Sequence, residues 1–262
     1  QQVEGLPPVD AGAMGKLRAS LAAVRPHEGA EALPTELGTI LAIPRVQEAL
    51  SLVALHELPD EVLLLVVGEL FTGGTSQRQA QAFMTAVLLV KVQRLAQPAS
   101  RALLSAILKA CKDHPRAAIH HLILPLLAVE QAASAQVEVI TRITKESLVG
   151  HQRLQLLSAL LEAGPGVRGG GLTLGGVAVL HALVNLKMPV GAEVLAKFVQ
   201  VVDESCVALR ASLKFSSLVL SILSHHGRQL APHAAQLQQV AATLETGLKK
   251  PIQTMANKLA PG

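Results

Sequence analysis

Tryptophan and tyrosine are absent from the 262 residues and phenylalanine occurs four times. Sheets are built largely from aromatic and β-branched residues, so this scarcity argues strongly against an all-β fold. It also removes the ring platforms on which unpaired nucleic-acid bases stack. Cysteine is nearly missing too. Cys111 and Cys206 fall on different predicted helices and read as reduced, buried small hydrophobes rather than as a disulfide framework. Long apolar runs are lacking: Val62 to Val67 stops at Gly68 and Ala86 to Val90 stops at Lys91. A bilayer needs about 20 apolar residues in a row, so no membrane span is expected. The first residues lack the basic, apolar and small-residue order of a secretory leader, which places the expected compartment inside the cell.

What is present is leucine and alanine in a chain that is 50% apolar, a composition that favours helix and can fill a sizeable core. Residues 1–44 are rich in Gly, Pro and Ala and read as a weakly structured lead-in with one short helix near 12–24. From Arg45 the apolar residues recur at helical spacing between Pro and Gly punctuation. Helices are predicted over 45–56, 60–72, 76–96, 99–113, 116–128, 134–147, 150–163, 173–187, 190–202, 205–225, 232–246 and 249–260. Pro59, Pro98, Pro115, Pro189 and Pro232 fall near predicted helix starts, where a missing N–H leaves no intrahelical bond unmade. Apolar faces as wide as that of Leu154, Leu157, Leu160 and Leu161 have to be covered by neighbours. Short connections make consecutive helices antiparallel, and hairpins in series stack. The expected fold is therefore all-α, with 45–262 forming antiparallel helix pairs stacked as an α-solenoid with irregular, HEAT- or armadillo-like repeats. A compact helical bundle is the structural alternative.

The net charge of +4 conceals blocks. Residues 1–69 carry ten acids against four Lys or Arg, whereas 70–129 carry seven basic residues and one acid, Asp113. Residues 130–204 are near neutral and 205–262 come to +5, so acidic partners are expected to favour the second and fourth blocks. Within the second, Lys91 and Arg94 share a helix face, as do Arg101, Lys109 and Lys112 on the next helix, a candidate basic ridge for a partner. The last helix sets Leu248, Ile252, Met255 and Leu259 in one stripe, leaving Lys249, Lys250 and Lys258 as a second candidate binding surface.

Signals for chemistry are weak. Gly164 to Gly169 matches GxGxxG literally but follows a leucine-rich helix instead of a strand, and no acid follows about twenty residues on, so it reads as a loop. Cys111, His114, His120 and His121 have ligand chemistry, yet their spacing fits no zinc template. No GxSxG elbow or other nucleophile–base pattern occurs. Asp60 with Glu61, and Asp203 with Glu204, fall at predicted helix starts and read as caps. His225 and His226 read as a helix C-terminus. No catalytic, metal or cofactor site is expected.

The helix order, the run Lys91 to Pro125 with Pro98, Ala99, Ser100, Arg101 and Leu122 to Leu126, and the segment Gly247 to Gly262 resemble the C-terminal domain of the Fanconi anaemia group E family. The resemblance covers 45–262, and the Gly-rich loop at 164–171 looks like an insertion in it. It implies a nuclear, non-enzymatic adaptor of the Fanconi core complex in repair of DNA interstrand crosslinks. Such an adaptor binds the group C protein in a subcomplex that also holds group F, and brings a pair of substrate proteins to the ubiquitin ligase for monoubiquitination. A helical-repeat protein gripping nucleic-acid backbones is the alternative reading, and a nucleotide enzyme resting on Gly164 to Gly169 the weakest.

Overall fold

The computed structural model describes residues 8–72, 74–128, 133–162, 167–168 and 171–259. These are almost wholly helical, and none of the described helices is long and apolar enough to cross a membrane. The exception is Val167–Arg168 (β1) paired antiparallel with Gly171–Leu172 (β2), Val167 opposite Leu172. The chain divides into two compact units, Gln1–Leu126 with Ala133–Ser147, and Leu127–Ala132 with Leu148–Gly262.

In the first unit, Asp10 caps α1 (Ala11–Ala23) by accepting the N–H groups of Gly12 and Ala13 at 2.8 and 3.0 Å. The prolines that follow hold the chain to short 3₁₀ turns up to Ala42. This segment belongs to the unit rather than standing apart at residue 44: Leu17, Leu21, Leu37 and Ile40 are all buried. Next come α2 (Val46–Val53) and α3 (Asp60–Leu70). One continuous helix then runs through α4 (Gln77–Phe83), a π-helical segment Met84–Leu89 and α5 (Val90–Gln93). After α6 (Arg101–Asp113), a second continuous helix repeats that plan with α7 (Pro115–Ala118), the π segment Ile119–Ile123 and α8 (Leu124–Leu127). α9 (Ser134–Glu146) completes the unit.

Two rows result. α3 packs on α6 and α6 on α9, while α2 packs on α4 and on the first π segment, which packs on the second. The residue types explain the closeness of α3 and α6. α3 buries Val62, Leu63, Val66 and Val67, and α6 answers with Leu103, Ile107 and the small Ala106 and Ala110, which let the helices approach. Each fully buried aliphatic side chain contributes about 2 kcal/mol before ordering costs are subtracted.

The second unit repeats the logic with α10 (Gly150–Leu161), α11 (Leu174–Asn185), α12 (Ala192–Leu209), α13 (Leu213–His226), α14 (Ala234–Thr243) and α15 (Lys249–Asn257). α11 packs on α13 and α13 on α15, whereas α10 packs on α12 and α12 on α14. One expected boundary moves. The break predicted between 202 and 205 does not exist, because Leu195, Phe198, Val199, Val202, Ser205 and Cys206 form one uninterrupted buried stripe along α12. Asp203 and Glu204 therefore lie inside this helix and are not caps, and Glu204 accepts from Gln200 at 2.9 Å.

Polar tethers join like elements within each unit. Gln79 donates to Leu41, Ser100 to Asp60, Gln136 to Gln93 and Ser147 to Leu108, at sequence separations of 38, 40, 43 and 39. In the second unit the Leu172 N–H donates to Ser205, and His181 pairs with Ser221, at separations of 33 and 40. Each separation is about the length of one helix pair with its connections.

Candidate interaction surfaces

Lys91 is not on an open ridge. Its side chain is only 15% exposed, and Nζ lies 3.0 Å from an Asp60 carboxylate oxygen while donating to the carbonyls of Leu58 at 2.6 Å and His56 at 3.3 Å. Asp60 and Glu61 stand inside the first turn of α3 and are not caps, Pro59 preceding the helix without a side-chain cap bond. The Asp60 charge favours the helix dipole, and its other carboxylate oxygen accepts from Ser100 at 2.7 Å. Ser100 in turn caps α6 by accepting from the Leu103 N–H at 3.1 Å. The Lys91 ammonium thus welds α5 to the turn before α3, and its charge is spent within the unit.

Arg94, one turn further, is exposed. It faces the neighbourhood of His56, whose pKa is lowered by burial first and by the Arg94 charge second. His56 Nδ1 is buried and has no hydrogen-bond partner among the described residues. Arg18 reaches the same turn and pairs with Glu57.

The other members of the predicted ridge face outward. On α6 the buried side is Leu103, Ala106, Ile107, Ala110 and Cys111, and Arg101, Lys109 and Lys112 are exposed on the opposite side of the same helix. Of these three, only Lys109 has an acid in reach among the described residues, Asp113 at 3.8 Å, a surface pair worth under about 1 kcal/mol. Arg101, Lys109 and Lys112 thus share one exposed face of α6, and Lys91 stands apart from them in its ion pair.

At the other predicted surface, α15 buries Ile252 and Ala256, with Leu248, Met255 and Leu259 half-buried beside them. Met255 Sδ accepts from Ser224 on α13 at 3.8 Å. Lys249 is drawn inward, donating to the Ala242 carbonyl at 2.6 Å, and Lys250 and Lys258 stay exposed.

Residues with ligand chemistry do not converge: no group of three His, Cys, Asp or Glu side chains placed to hold a metal ion occurs among the described residues. Cys111 is fully buried and its thiol pKa is pushed far up by desolvation. His114 packs edge-on against the Phe71 ring at 5.5 Å. The Gly164 to Gly169 match lies largely outside the described residues, and its described part, Val167–Arg168, is strand β1 instead of a helix start. His226 ends α13 as expected and pairs through Nδ1 with Gln229 at 3.2 Å.

A feature with no sequence signal is a groove of about 620 Å³ in the first unit. It runs from Pro44, Arg45 and the first turns of α2 (Gln47, Glu48, Ser51), along Arg78, Gln81 and Thr85, to His121. Arg45 and Arg78 are distant in sequence and sit in differently charged blocks, so only packing brings them together. Comparison of the sequence with family models and with curated proteins yields no match.

Proposed function

We propose that this protein is a non-enzymatic adaptor of the kind its sequence resembles, a nuclear Fanconi core-complex subunit that bridges the ubiquitin ligase to its monoubiquitination substrates in interstrand crosslink repair. In this reading the helices of each unit are irregular HEAT- or armadillo-like pairs. The alternating rows of neighbours and the recurring tether separations near one pair length support that architecture. The group C protein docks on the outward face of α6, group F joins the same subcomplex, and Lys250 and Lys258 on α15 serve another partner. One observation carries the assignment: Arg101, Lys109 and Lys112 project from the side of α6 opposite its core, a rigid basic face that no other described element neutralises apart from Asp113.

The test is capture of the group C protein by the triple variant Arg94→Glu, Arg101→Glu, Lys112→Glu, with Lys91 left intact because it holds the fold together. Binding should be lost while the helical circular dichroism stays unchanged, and rising salt should weaken the wild-type contact. Undiminished capture by the variant refutes the assignment. Nucleic-acid binding through the same face predicts duplex DNA affinity that falls steeply with salt, and no affinity at low salt eliminates that alternative.

A further inference from the structure

The groove in the first unit is framed by two π-helical segments that pack on one another. Such segments interrupt the regular backbone ladder and are frequent at functional sites. The second has a cause in its own sequence. Pro125, inside α8, has no N–H to give the carbonyl of His121 four residues earlier, and its ring would collide with that carbonyl in a regular helix. The ladder changes register just before it, the Leu124 N–H bonding to the Ile119 carbonyl. The first, Met84–Leu89, has no proline or glycine in or next to it. Its consequence is positional: Thr85 and His121, each within its own π segment, meet at the groove wall with Oγ1 and Nδ1 3.4 Å apart.

The chemistry along the groove is one-sided. Arg45 uses Nε on Glu48 at 3.0 Å, and Arg78 uses one Nη on the Pro44 carbonyl at 3.2 Å, so each holds its neighbour's backbone or side chain lightly. Neither guanidinium makes a further hydrogen bond among the described residues. The same lining carries the amides of Gln47 and Gln81 and the hydroxyls of Ser51 and Thr85, groups suited to a peptide backbone. His121 also lines the groove, its pKa lowered by burial and then by His120, so near neutrality it contributes a neutral ring. Glu48 is the single acid on the lining and is already matched by Arg45.

We propose that this groove is a docking site for an extended acidic peptide segment of a partner protein, with a carboxylate seated on Arg45 and Arg78 and the peptide backbone running over Gln81 and Thr85. The site is separate from the outward face of α6 and stands whether or not that face binds a partner. A nucleic-acid strand fits less well: no Phe, Tyr or Trp lines the groove to stack a base, and Glu48 would face the phosphates.

The experiment titrates the whole chain with fluorescein-labelled hexaglutamate, followed by anisotropy at low and moderate salt, with oligothymidylate as competitor. Three variants accompany the wild type: Arg78→Gln, Ser51→Trp, and Arg101→Gln with Lys112→Gln. Ser51 is exposed and its hydroxyl bonds only within α2, so an indole there fills the groove without altering charge or core. Binding should weaken by about fivefold or more in Arg78→Gln and in Ser51→Trp, and stay close to wild type in the α6 variant. No binding of hexaglutamate, binding that Ser51→Trp leaves unchanged, or loss only in the α6 variant overturns the proposal. Oligothymidylate that displaces the peptide and is itself blocked by Ser51→Trp overturns it in favour of a phosphate-backbone site.

Discussion

Gln79 and Gln136 make the same two hydrogen bonds in successive parts of the first unit. Each accepts from the N–H at the start of its own helix, Ser76 at 2.7 Å and Ala133 at 3.0 Å. Each also donates to a carbonyl of an earlier element, Leu41 at 2.7 Å and Gln93 at 2.8 Å. One amide thus satisfies an orphan donor at a helix start and staples that start to its neighbour.

Replacement of Gln136 by alanine should lower the free energy of unfolding by about 1 to 2 kcal/mol, since one N–H and one carbonyl lose their partner together. Gln136→Glu should be worse than alanine. The carboxylate keeps the cap but faces the Gln93 carbonyl with no donor to offer it. Urea denaturation of the three chains checks both the size and the order.

Lys91 and Arg94 should behave oppositely despite lying three residues apart. Lys91→Ala leaves Asp60 and the Leu58 and His56 carbonyls without their cation, a loss of about 2 kcal/mol or more. Arg94→Ala, exposed, should stay within about 0.5 kcal/mol of wild type. Equal losses in both variants would show that Lys91 is solvated in solution.

Stability should fall on the acid side. Burial lowers the pKa values of His56, His114 and His121 below 6.5, the ordinary value these groups have in the unfolded chain. Their contribution is complete above 6.5, where both states are neutral. It declines below 6.5, because the unfolded chain takes up protons that the folded chain resists. Unfolding free energies measured from about pH 7.5 down to about pH 5 should decrease, and His121→Gln should reduce the slope.

Both thiols should be silent in the folded protein. Cys111 is fully buried and Cys206 is 4% exposed, and desolvation raises both pKa values, for Cys206 with a further push from the Asp203 charge. A thiol-specific reagent followed by mass spectrometry should add nothing without denaturant and two labels in urea. Modification of Cys111 under native conditions would contradict its placement between α6 and its neighbours.

Helical class and most helix bounds were legible because apolar spacing and Pro, Gly and Ser punctuation are local properties of the chain. α3, α6, α9 and α10 fall within the stretches their periodicity predicts, and Ser100 and Thr173 cap helices near predicted starts, whereas Ser212 caps a start inside the single helix predicted over 205–225. Asp203 and Glu204 have the residue type of a helix start, yet the apolar stripe of α12 runs straight through them. The lead-in also held more than its composition suggested, since Leu37 and Ile40 are buried although Pro34 confines their segment to a 3₁₀ turn.

The order of residues by itself determined that this chain is helical, where most of its helices start and stop, and which face of α6 is basic, because backbone hydrogen bonding and the 3.6-residue repeat act over a few neighbouring positions. Tertiary structure decided which cations remain available. Lys91 is consumed because the carbonyls of His56 and Leu58 and the carboxylate of Asp60 arrive from across the unit, and the groove exists because packing sets Arg45 beside Arg78. Periodicity fixes the direction a side chain leaves its helix, but only the neighbour that packing delivers fixes what the side chain meets.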